Sequence, residues 1–183
     1  KELPELTDEY VAANSDYKTI EEMRADYKKR MQEAAEQDGQ VAYERALIDM
    51  AIANAKFEVP EIMIEDAITQ MVDEMKMSLE SRKMTMEMYM QYTGMDMEKI
   101  RANQRPNAVE KVNTDLVLDA IAKAENIQVD MADVDAEISA ISAQHGASAD
   151  EVKKIIKSNG TMGLLLANIL RRKAARVIID TAK

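Results

Sequence analysis

After Pro60 the apolar side chains fall at helical spacing: Ile64, Ile68, Met71, Met75 and Leu79. Positions three and four apart share one face of an α-helix. The run therefore predicts an amphipathic helix of about 22 residues, roughly 33 Å long at 1.5 Å per residue. Pro60 suits the first position, where its missing amide hydrogen would go unused. Phe57-Glu58-Val59 is a break, because the residue before a proline avoids the helical region. Arg82 and Lys83 supply cations for the carboxyl end. Punctuation elsewhere is sparse, with five glycines and three prolines in 183 residues. That is too few for a many-turned β-sandwich, and no segment reads convincingly as a strand. The expected class is all-α.

Caps and stripes divide the rest of the chain. Residues 1–18 read as an extended lead-in, since Leu3-Pro4 and a mixture of Asp, Asn and Ser oppose a long helix. Leu6, Tyr10, Val11 and Tyr17 could pin it onto a body. Thr19-x-x-Glu22 matches a capping box and opens a helix to about residue 56. Gly39 is a candidate bend, and Val41, Leu47, Ile48, Ala51 and Ile52 form the better stripe. Thr85 caps a short helix that stops at Gly94. Asp96 caps a long one to about residue 126, which Pro106 should kink or split. Asp130 caps the next, ending at His145-Gly146. Ser148-x-x-Glu151 opens another, stopped by Asn159-Gly160. The last begins at Thr161 with Leu166, Ile169, Leu170, Ala174, Val177 and Ile178 on one face.

Composition excludes more than it selects. Net charge is −10, which repels phosphate backbones, so nucleic acid is not an expected partner. Without cysteine there is no disulfide framework, thiolate metal site or cysteine nucleophile, which fits a reducing compartment. No apolar run approaches the ~20 residues of a membrane span. The polar start, Lys1-Glu2, shows no signal peptide, and the missing initiator Met suggests an excised or processed chain. Neither cofactor nor metal is expected.

Ten of the fifteen methionines stand between residues 60 and 97. Methionine is unbranched and polarizable, so it fills irregular gaps and suits surfaces that adapt to many partners. Met71 and Met75 read as filling of a helix seam. Met77, Met84, Met86, Met88, Tyr89, Met90 and Tyr92 are the candidate polypeptide-binding residues. At 100° per residue, Met86 and Met90 share one face of the short helix, with Met88 and Tyr92 nearly opposite. A short helix apolar on both sides cannot bury both against one neighbour. It is either sandwiched or open on one face, and partial exposure of Met86, Met88 and Met90 is the expectation.

Other charged groups read as structural. His145 precedes Gly146 at a helix end, where a cation is favoured, and no catalytic partner pattern accompanies it. Asp130, Asp133, Asp135 and Glu137 are carboxylate-rich, but a calcium loop needs glycine where Asp135 stands. They read as a capped, acidic first turn. Arg171-Arg172-Lys173 with Arg176 reads as a solvated face near a helix end. Gly160-Thr161-Met162-Gly163 lacks the spacing and lysine of a phosphate loop.

Several motifs, in order, resemble the carboxyl-terminal domain of trigger factor, the bacterial ribosome-associated chaperone family. Lys1-Glu2-Leu3-Pro4-Glu5-Leu6 is similar to the segment after the family's peptidyl-prolyl isomerase domain. Val59-Pro60-Glu61-Ile62-Met63-Ile64-Glu65 resembles the start of its first arm, and Gln91-Tyr92-Thr93-Gly94 and Arg105-Pro106 resemble later parts of that arm. Val117-Leu118-Asp119-Ala120-Ile121-Ala122-Lys123-Ala124-Glu125-Asn126-Ile127 is the most distinctive match. Leu170-Arg171-Arg172-Lys173-Ala174 resembles the closing helix.

The resemblance implies an elongated all-helical body with two protruding arms, related to the SurA-like fold. The lead-in, 1–18, would pack on the body. Residues 19–183 would form one chaperone domain: a body helix at 19–58, a first arm at 60–118, a second arm at 119–160, and a closing helix at 161–183 that returns near the helix opened by Thr19. It implies ATP-independent holding of unfolded or nascent polypeptides in the cytoplasm. The ribosome-docking and isomerase domains are not found here, so neither ribosome binding nor isomerase activity is expected of these residues. The other reading is a structural helical module that docks one fixed partner or weakly self-associates. An enzyme is not expected, for want of a paired acid and base, a nucleophile or a cofactor loop.

Overall fold

The computed structural model describes residues 6–182. Among them are eight helices and no strand: α1 (Asp8–Asn14), α2 (Ile20–Asn54), α3 (Glu61–Ser81), α4 (Met86–Thr93), α5 (Met97–Ala124), α6 (Met131–His145), α7 (Ala149–Ser158) and α8 (Met162–Thr181). The all-helical expectation holds. Two compact units divide between residues 46 and 47, inside α2.

Most boundaries follow local chemistry. Thr85, Asp96, Asp130 and Ser148 each accept a backbone N–H in the first turn of α4, α5, α6 and α7, satisfying a donor with no partner inside the helix. α6 and α7 carry reciprocal capping boxes through Asp133 and Glu151. Gly94 and Gly146 end α4 and α6 with φ of 68° and 64°, the left-handed region that glycine enters without steric penalty.

In the first unit the extended lead-in is corrected. Residues 8–14 form α1, because Thr7 Oγ1 accepts from Tyr10 N at 3.2 Å and Val11, only 2% exposed, is buried. Asp8 Oδ1 then accepts from Ile20 N at 2.8 Å, tying α1 to the start of α2. Tyr17 donates its hydroxyl to Asp26, which also pairs with Arg30 at 2.7 Å. Leu3-Pro4 lies outside the described residues.

The second unit holds three apolar clusters. α3 packs on α5 through Ile64, Ala67, Ile68, Ala108 and Val112. The carboxyl half of α5 packs on α8 through Leu118, Ala122 and Ala174. Val134, Ile138, Val152, Ile156, Leu165 and Ile169 join α6, α7 and α8. Pro106 does not split α5, which runs unbroken from Met97 to Ala124. Proline removes one hydrogen bond but keeps a helical φ. Here Ile100 and Ala108 are buried on either side of it, while Arg101 and Arg105 bond Glu65 and Glu61 of α3 at 2.6 Å each.

Candidate functional site

The methionine-rich helix sorts its side chains by face. Thr85 Oγ1 accepts from Met88 N at 3.2 Å, and the Gly94 amide donates to Met90 O at 2.9 Å. Both ends of α4 are thus fixed. Glu87 sits in this first turn, where its own backbone amide, the Thr85 hydroxyl and nearby Lys76 hold its carboxyl below the usual range. Met86 is 6% exposed, whereas Met88 is 52% and Tyr92 89% exposed. Met90 and Tyr89 are half-buried.

So one face of α4 is sunk and the other open, and the expected exposure of Met86 is corrected. A helical period puts Met86 and Met88 on different faces without saying which turns inward. Met84 is half-buried, and Met77 near the end of α3 is 61% exposed. Met71 and Met75 are half-buried, and Met71 packs on the α3–α5 cluster.

Sequence reasoning missed a second apolar surface. A cleft of about 620 Å³ lies between the end of α2, residues 55–58 and the carboxyl half of α5. Ala51, Ala55 and Phe57 line one side, and Leu116, Val117, Ala120, Ile121 and Ala124 the other. Phe57 is 40% exposed there. The break before Pro60 was legible, but the chain's one phenylalanine standing in it was the unused signal. So was the width of the α5 stripe, which runs past what a single helical neighbour covers.

Among the charged candidates, Arg171 and Lys173 turn inward on the fold. The Arg171 guanidinium forks onto Asp119 at 2.8 Å twice and reaches Asp115 at 2.9 Å. Arg172 bonds Glu137. Lys173 meets Asp133 at 2.6 Å and the Gln128 carbonyl at 2.9 Å. The reading as a solvated face is corrected for Arg171 and Lys173, which are half-buried against α5 and α6, while Arg172, its side chain 61% exposed, and Arg176 keep it. Their partners include Asp133 of the capped, acidic first turn, whose carboxyl Lys173 and the Asp130 amide hold below the usual carboxylate range; Asp135 pairs instead with Lys153 of α7 at 2.8 Å. His145 stands exposed in the last turn of α6. Among the described residues no cluster of three such side chains is arranged to hold a metal, and no helix is long and apolar enough to cross a membrane.

Residues 19–180 match the family model described as the bacterial trigger factor protein carboxyl terminus. The chain belongs to that family. Among curated trigger factors, that of Brevibacillus brevis is 35% identical over 183 residues, all of this chain and 43% of the relative. Trigger factor 1 of Desulfitobacterium hafniense is 31% identical over 182 residues, and the trigger factor of Clostridium tetani 31% over 183. The chain spans less than half the length of these trigger factors.

Proposed function

We propose that this chain is the polypeptide-holding part of a trigger factor: a chaperone domain that grips unfolded or nascent chains without ATP. The observation that carries the reading is the open face of α4, where Met88 is 52% and Tyr92 89% exposed on a helix fixed at both ends. Large apolar side chains held out in water gain by covering them with another apolar surface. Burying one such side chain is worth about 1.5–3 kcal/mol at best. Several weak, adaptable contacts therefore suit brief holding of many sequences. Met77 and the Phe57 cleft add exposed apolar groups elsewhere, and a net charge of −10 favours solubility of the loaded state.

Family membership supports the same reading. On it, 60–118 belongs to a first arm and 119–160 to a second, 161–183 closes the domain, and the cytoplasm, where nascent chains are made, is the working compartment. Contact with the ribosome is not assigned to these residues. Met86 is no longer a contact residue, since it lies beneath the surface.

The test is aggregation of a chemically unfolded client at several ratios of this chain, without ATP. Wild type should suppress it. Replacing Met77, Met88 and Tyr92 together with Ser should weaken suppression severalfold and leave thermal stability nearly unchanged, because all three are exposed. No suppression by well-folded wild type sinks the reading. A tight oligomer in sedimentation that ignores unfolded clients would put a docking or self-association module in its place.

A further inference from the structure

We propose that Met77 and Met88 are modification sites, surface thioethers that a peroxide converts reversibly to sulfoxides, loosening the grip on apolar polypeptide. The inference deepens the polypeptide-holding reading and rests on it. Two observations carry it. The chain has fifteen methionines and no cysteine, so thioether is its sole oxidisable sulfur. Burial then sorts these sulfurs within one stretch: Met86 is 6% exposed, Met88 52% and Met77 61%.

The chemistry balances. A sulfur lone pair attacks one oxygen of hydrogen peroxide, the O–O bond breaks, an S–O bond forms, and water leaves after proton transfer. Sulfur is oxidised by two electrons and the peroxide reduced by two. The product is polar, chiral and a hydrogen-bond acceptor. It keeps its water better than it keeps an apolar client, since burying an unpaired polar group is unfavourable. Reversal breaks the S–O bond, releases the oxygen as water and oxidises an external dithiol to a disulfide. The dithiol must come from a separate reductase, because this chain has no thiol. Met86 is different. Shielded on the sunk face of α4, it reacts late, and a sulfoxide there would unpack the helix.

The experiment treats the chain with graded hydrogen peroxide, maps each methionine by peptide mass, and measures suppression of client aggregation before and after. Met77 and Met88 should gain oxygen well before Met86. Holding should fall roughly tenfold, the low end of what losing one buried apolar side chain removes. A Met77→Leu/Met88→Leu variant, whatever its starting level, should hold as much after peroxide as its own untreated sample. A control, Met31→Leu/Met131→Leu, alters two methionines each 71% exposed outside the candidate set, and should lose holding like wild type. Oxidation of Met86 in step with Met88, or equal protection by the control, overturns the proposal. A chain that holds equally before and after oxidation overturns it alone. An untreated chain that holds nothing sinks the holding reading and this proposal together.

Discussion

α2 and α5 are the two longest helices among the described residues, at 35 and 28 residues. α2 buries none of its side chains, whereas α5 buries six. Yet α5 contains the helix breaker, Pro106, and α2 only Gly39. Length and regularity therefore do not report burial. Along its exposed middle α2 relies on pairs one turn apart, with a cap at its start. Thr19 Oγ1 accepts from Glu22 N, Gln32 bonds Glu36, Gln40 bonds Glu44, and Lys29 approaches Glu33. Such pairs contribute a few tenths of a kcal/mol each. α5 is held by packing, which is strong enough to override a proline.

The sharpest way to break this contrast is at the α3–α5 seam. Ile68, 2% exposed, should lose about 2–5 kcal/mol of stability on Ile68→Ala, through lost burial and the cavity left behind. Thermal unfolding reads it, and a drop under about 1 kcal/mol would show the seam to be loose. Next is the ionic tie of α8 to α5. Arg171→Ala leaves Asp119 without its guanidinium and Asp115 with Lys111 alone. It should cost about 1–3 kcal/mol at low salt and less at high salt, where the pair is screened.

Acid should weaken the same tied regions. Arg105 holds the Glu61 carboxyl below its usual range, and Lys173 does so for Asp133. A carboxylate with a lower pKa folded than unfolded stabilises above the ordinary range near pH ~4, and that share is lost as pH falls through the folded value. Urea midpoints should fall on acidification through that window, and Asp133→Asn should flatten the fall. The smallest effect belongs to α2. Val41→Ser, at a 59% exposed position, should change stability by under about 0.5 kcal/mol. A core-sized loss there would end the contrast between the two helices.

Much of this fold was legible locally. Thr85, Asp96, Asp130 and Ser148 announced four helix starts, and Gly94 and Gly146 two stops, because caps satisfy backbone groups within a few residues of themselves. The opposition of Met86 to Met88 was legible too, since helical period alone dictates it. The α1 turn was not, because its support includes Asp8 reaching Ile20, twelve residues away. Nor were the partners of Arg171, Arg172 and Lys173, 35 to 52 residues distant in the chain.

By itself, then, the sequence determined an all-helical chain, the ends of most of its helices, and the family it joins. Each rests on spacing or on neighbours close in the chain. Tertiary structure alone decided that Met86 turns inward and Met88 outward, that α5 survives Pro106, and that Phe57 opens onto a cleft. A side chain's burial depends on what lies across from it, and those residues come from elsewhere in the chain.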